Sequence, residues 1–117
     1  MSAETVLFST LAASAGVGAL IADRIYPDLR PQDDASPAIV YRRDATEYTP
    51  TIHGTIALTR AQLAVVCVGV TRASAEAVAD AAQTALLAAH FLLVSRASDF
   101  EPESRTYIAT LAVEHLS

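Results

Sequence analysis

The chain contains no lysine and no tryptophan, and only one cysteine, one methionine and four glycines. Every fixed positive charge is therefore an arginine, and 13 acidic residues against 8 basic ones leave a net charge of −5. Phosphate binding rests on neutralising charge, so an acidic domain of this kind is a poor candidate for wrapping nucleic acid. A lone cysteine, Cys67, excludes an internal disulfide, and nothing demands an oxidising compartment. It lies inside an apolar run and reads as a buried structural thiol, because a reactive one needs an electropositive, partly exposed setting. Aromatic residues make up 6% of the chain although 52% is hydrophobic, so the core has to be built from aliphatic and alanine side chains at close backbone approach. Charged residues are 18%, low for a free-standing monomer, and apolar surface on a small domain marks a partner.

Chemistry is also scarce. His53, His90 and His115 are scattered, with no His-x-x-x-His or Cys-x-x-Cys spacing, so no metal site is expected. Ser–His–Asp triads are recognised by geometry, and no particular set stands out. Gly16-Val17-Gly18 follows no strand and lacks the rest of a dinucleotide fingerprint, so it reads as a helix stop. No catalytic constellation, cofactor or metal is expected, and the chain is not read as an enzyme.

What is present is one domain of 117 residues organised around the valine-rich run at 61–70. An apolar run of this length, rich in β-branched residues, predicts a central strand buried on both faces. It is too short to cross a bilayer, which takes about 20 apolar residues. Residues 71–89 predict the main helix: Thr71 is a good N-cap, and Ala75, Val78, Ala79, Ala82, Ala85, Leu86 and Ala89 repeat at helical spacing, with Glu76 and Asp80 outward. An earlier helix is expected from a cap at Ser2 to a stop at Gly16, with Glu4 in its first turn. A short helical turn then delivers Leu20 and Ile21 to the core. This early segment lacks the positive n-region of a signal peptide and is expected to be folded structure of an intracellular protein.

Further strands are expected at 24–27, 38–44, 91–96 and 105–116, the long strand running from 55 to 70 with a bend near Arg60. The Pro31 and Asp33-Asp34 stretch reads as a solvated connection. Residues 46–54 read as a long loop, the kind that tends to be functional. The fold class is α+β: a mostly antiparallel sheet of four or five strands with two main helices on one face. The central strand has no polar face, so the second side of the sheet is expected to meet a neighbouring subunit.

Candidate contact residues lie in loops and at strand ends. Arg42-Arg43 is the only basic pair. It suits a solvated strand end or an intersubunit ion pair to Asp33, Asp34 or Glu103 better than a phosphate contact. Asp99, Glu101 and Glu103 form an acidic segment without EF-hand order. Glu47, Tyr48 and Thr49 are placed in the long loop, where they would meet a partner protein or the next subunit, and Arg42 and Arg43 would bridge subunits to the segment around Asp99 and Glu101.

Arg24-Ile25-Tyr26-Pro27, Pro31-Gln32 and Pro37-Ala38-Ile39-Val40-Tyr41 resemble the opening of the tail-completion proteins, or tail terminators, of long-tailed bacteriophages. The run at 61–69 resembles that family's central strand, 73–80 its long helix, and Asp99-Phe100-Glu101-Pro102-Glu103 before Tyr107 its late acidic turn. Val68-Gly69 departs from it where a bulky aromatic is frequent. The resemblance implies a virion structural protein at the neck end of the tail, assembled in the host cytoplasm. It implies a homo-oligomeric ring, typically a hexamer, that caps the tail tube, stops its polymerisation and offers a surface to the head–tail connector. DNA would pass through the lumen without specific binding, and a net acidic wall would let it slide. A neck, connector or minor tail protein is the alternative, and a small oligomeric α+β enzyme or ligand-binding domain a lower-ranked one.

Overall fold

The structure, a computed structural model, describes residues 3–22, 24–27, 37–54, 56–102 and 105–116, with 56–58 described as backbone only. Ser2, Pro31, Gln32, Asp33, Asp34 and Glu103 lie outside these residues. Three helices and five strands follow one another as α1 (Ala3–Ala13), α2 (Ala15–Ile21), β1 (Ile25–Pro27), β2 (Ala38–Pro50), β3 (Ile56–Gly69), α3 (Arg72–Ala88), β4 (Leu92–Glu101) and β5 (Thr106–Leu116). The sheet order is β1-β2-β3-β5-β4. Only the β1–β2 pair is parallel, and the other neighbours are antiparallel. The valine-rich strand is thus the middle one, as its apolar sequence requires.

The core lies between the sheet and the helices. Leu63, Val65 and Cys67 of β3, with Ala109, Leu111 and Val113 of β5, form one face. Val78, Ala79, Ala82 and Leu86 of α3 pack against them. Each buried Val or Leu contributes about 1.5–3 kcal/mol by leaving water, while the alanines let the helix approach the strands. Gly69 marks the tightest approach: a Cβ there would sit 2.6 Å from the backbone nitrogen of Ala75. That contact accounts for a glycine where the family resemblance leads one to expect bulk.

The ends of α3 follow from local chemistry. Thr71 Oγ1 accepts from the Ser74 amide at 3.1 Å. At the other end the Phe91 amide donates to the Leu86 carbonyl at 3.0 Å and the His90 amide to that of Leu87 at 3.1 Å. This is a Schellman closure, with His90 in the left-handed position at φ 68° and the apolar pair Leu86 and Phe91 buried.

Several boundaries differ from those expected. α1 ends at Ala13, not Gly16, because Ser14 caps a new helix: the Val17 amide donates to Ser14 Oγ at 3.3 Å, and the two helices meet at 80°. Val17 and Ile21 enter the core while Leu20 remains exposed. β2 extends to Pro50, so residues 46–54 are mostly strand. The Thr51 carbonyl accepts from the Gly54 amide at 3.0 Å, and Gly54 has φ 82°. Thr46, Tyr48 and Thr49 are good strand formers, and only their exposure on both sides hid the alternation. The register slips between Arg43 and Ala45, where β2 carries the extra residue, and opposite Thr49 and Pro50, where β3 carries it between Ile56 and Leu58, a few residues from Arg60, which itself pairs regularly with Glu47. β4 runs to Glu101, so Asp99 and Glu101 are strand residues rather than a turn. Among the described residues no single helix is long and apolar enough to cross a membrane.

Candidate interaction surfaces

Alternation sorts the sheet residues between two faces. Residues paired across strands share a side, so Ala38, Val68, Ile108 and Asp99 form one row, and Val40, Val66, Thr110 and Ala97 the next. These rows lie opposite the helices. Among the described residues no helix covers them, and the helix-bearing core contains none of them. Ala38, Ala64 and Val68 are nonetheless buried, while Val40, Val66 and Ile108 stay half-buried. The middle of this open face is apolar. The expected second greasy side is present.

Toward the far end the same face becomes charged. Gln62 Nε2 donates to Glu47 Oε1 at 3.1 Å, and Arg60 lies between Glu47 at 3.6 Å and Glu114 at 3.2 Å. Arg42 Nε donates to Asp44 Oδ1 at 3.0 Å. Beyond Arg60, which pairs with Leu116 near the end of β5, β2 and β3 continue alone as a two-stranded arm. Tyr48 is 58% exposed on it and Ile52 95% exposed at its tip. The molecule measures 51 × 29 × 22 Å.

The residues singled out in the sequence fall apart in space. Arg42 and Arg43, adjacent on a strand, point to opposite faces. Arg42 faces the open side, whereas Arg43 binds Glu4 of α1 and donates to Thr46 Oγ1 at 3.1 Å. Glu47 belongs to the charged band, and Tyr48 and Thr49 to the arm. Asp99 and Glu101 lie on β4, the outermost strand, and Asp99 Oδ1 accepts from the Phe100 amide at 2.8 Å. β4 and β2 are three strand spacings apart, about 14 Å at ~4.8 Å each, so Arg42 and Asp99 do not meet within one protomer.

A cluster that the sequence reading placed outward instead ties β4 to α3. Arg96 binds Glu76, and its Nη1 donates to Asp80 Oδ1 at 2.8 Å and to Gln83 Oε1 at 3.0 Å. Ser98 Oγ donates to Glu76 Oε1 at 2.6 Å. These hydrogen bonds, Ser98's foremost, hold the Glu76 carboxyl below the usual carboxylate range and push the Arg96 guanidinium up. Glu76, Asp80 and Gln83 recur along one flank of α3, a signal invisible until β4 is known to lie there. Burial pushes the Cys67 thiol up to about 12, which makes it inert. Among the described residues no group of His, Cys, Asp or Glu is placed to hold a metal ion.

Ile52, Val40 and Val66 were not singled out from the sequence. One signal was available for the first: residues 48–59 contain no Asp, Glu, Lys or Arg.

A family model, tail completion protein gp17, matches residues 5–116. Among solved structures, a chain of the virion of a native gene transfer agent particle superposes with a TM-score of 0.73. It is 16% identical, and the match covers 92% of this chain and 88% of that one. At that identity the likeness speaks for the fold. No curated protein matches the chain. The matched span takes in all three helices, the whole sheet and the projecting arm, and the chain accordingly belongs to the tail completion protein gp17 family, as a structural component of the phage virion and not an enzyme.

Proposed function

We propose that this tail protein assembles into a homo-oligomeric ring, a hexamer in the particle, that seats on the end of the polymerised tail tube. The ring stops tube growth and presents its other side to the head–tail connector. The observation that carries the reading is the open sheet face: its centre holds Val40, Val66 and Ile108, opposite the face where the helices pack. An apolar surface of this kind is a protein contact, and a repeated head-to-tail contact closes into a ring when its rotation permits. The unpaired outer edge of β4 adds a second contact of the right type.

DNA passes through the lumen of such a ring. The net charge of −5 favours passage without adhesion, because acidic walls repel phosphate. Arg42 and Arg60 are both engaged by carboxylates, which removes two of the cations that would hold DNA on that face.

Light scattering coupled to size-exclusion chromatography tests the oligomer, and negative-stain microscopy tests the annulus. A hexamer that blocks elongation of purified tail-tube subunits is expected. A chain that stays monomeric as concentration rises, with or without tube subunits, overturns the reading. A twelve-fold ring that binds the head portal and leaves tube growth untouched moves the protein to the connector.

A further inference from the structure

We infer that the tip of the β2–β3 arm seats on the neighbouring protomer of the ring, in the groove between the α1–α2 junction and the C-terminal part of α3. The inference rests on the ring reading and names one of its contacts. The arm leaves the sheet where β5 ends, and among the described residues its strands have no third partner. Two-stranded ribbons are marginal in water. Residues 48–59 contain no Asp, Glu, Lys or Arg, and Tyr48 and Ile52 stand exposed on them. An isolated ribbon with an apolar tip is built to be received.

The receiving surface is on the same chain. Residues 5–22 and 81–95 also contain no Asp, Glu, Lys or Arg. They meet where Thr10, Ala13 and Ser14 face Ala85, Ala88 and Ala89 across a groove of about 380 Å³. Its walls are mostly methyl groups, and Phe8, Leu20 and Leu87 stand exposed on the same helices. Neither surface has a carboxylate, lysine or arginine to desolvate, so joining them avoids the cost of burying an unpaired fixed charge. Charged partners fit neither side. The tip and the groove are different patches, which makes the contact heterologous, the type that a closed ring repeats. A second copy of this chain is therefore the occupant that satisfies both at once.

The experiment links the two patches. Ile52→Cys and Ala88→Cys are combined in one chain and treated with a short bis-maleimide. Buried Cys67 leaves a silent background. A ladder of linked protomers is expected from the double variant, and none from either single variant. In parallel, Ile52→Asp is expected to weaken assembly by about ten-fold or more, roughly 1.4 kcal/mol, with the circular dichroism spectrum unchanged because Ile52 packs on nothing in its own protomer. Rings that form without this linkage, or that tolerate Ile52→Asp, overturn the contact and leave the ring standing. Ile52→Asp rings that assemble normally but fail to stop tube growth assign the tip to the tube instead. A wild-type chain that never oligomerises removes the ring and the contact together.

Discussion

Arg96 on β4 grips Glu76 one strand away on the covering helix, and Ser98 holds the other oxygen of the same carboxylate at 2.6 Å. The edge strand is thereby fastened to α3 by a polar cluster rather than by core packing, since most β4 side chains are exposed. Because the folded state lowers the Glu76 pKa, the ionised form favours folding. That contribution is complete above the unfolded carboxylate value of about 4.3 and fades as the pH falls through the lower folded value. Denaturant melts at a series of acidic pH values are expected to show a steeper loss of stability for the wild type than for Glu76→Gln.

The Cys67 thiol works in the opposite direction. Burial raises its folded value to about 12, so the unfolded chain loses the proton first, near pH 8.5. Stability from this site is present below that pH and declines as the pH rises toward about 12. Cys67→Ala is expected to flatten the alkaline slope while lowering stability at neutral pH, and a thiol reagent is expected to react only after denaturant is added.

Gly69 tolerates no side chain. With the Ala75 nitrogen 2.6 Å from the would-be Cβ and Ser74 Oγ at 2.9 Å, Gly69→Ala must push the first turn of α3 off the sheet. A loss of about 1–3 kcal/mol is expected, the usual cost of overpacking, measured by urea denaturation.

His90 offers a gain. It closes α3 in the left-handed region at φ 68°, where a side chain costs about 1–2 kcal/mol relative to glycine. His90→Gly is expected to raise the melting temperature by a few degrees, about 1 kcal/mol.

Substitution of the open face separates folding from assembly. Val66→Glu puts a charge on the open face, on the row it shares with Val40 and Thr110. The expected product is a folded protomer by circular dichroism that no longer forms rings in light scattering.

Much of the fold was legible because the apolar pattern is dense where the core is. The valine run at 61–70 and the alanine stripe of α3 each carry their own period, and Tyr107, Ala109, Leu111 and Val113 alternate cleanly on β5. Periodicity was silent where side chains are not buried. Residues 46–50 form strand without an inward face, and β4 outlasts its apolar stretch because it is held by Arg96 and Ser98. The candidate contacts were less legible. Arg42 and Arg43 looked like a pair, yet the pleat sends them to different sides, and each already has a carboxylate within its own chain. That the second face of the sheet is apolar was legible from the composition of β3. Which strands frame the open patch depends on strand order, which the sequence does not print.

The two sides of the sheet divide the inheritance of defects. A lesion among Leu63, Val65 or Leu111 harms only the molecule that carries it, and in a mixed infection it merely lowers dosage. In any head-to-tail assembly seated on Val40, Val66 and Ile108, a lesion there leaves a well-folded product that still joins an intact companion through its unaltered patch and stops the assembly from closing. Alleles of the first kind behave as recessive, and those of the second as dominant.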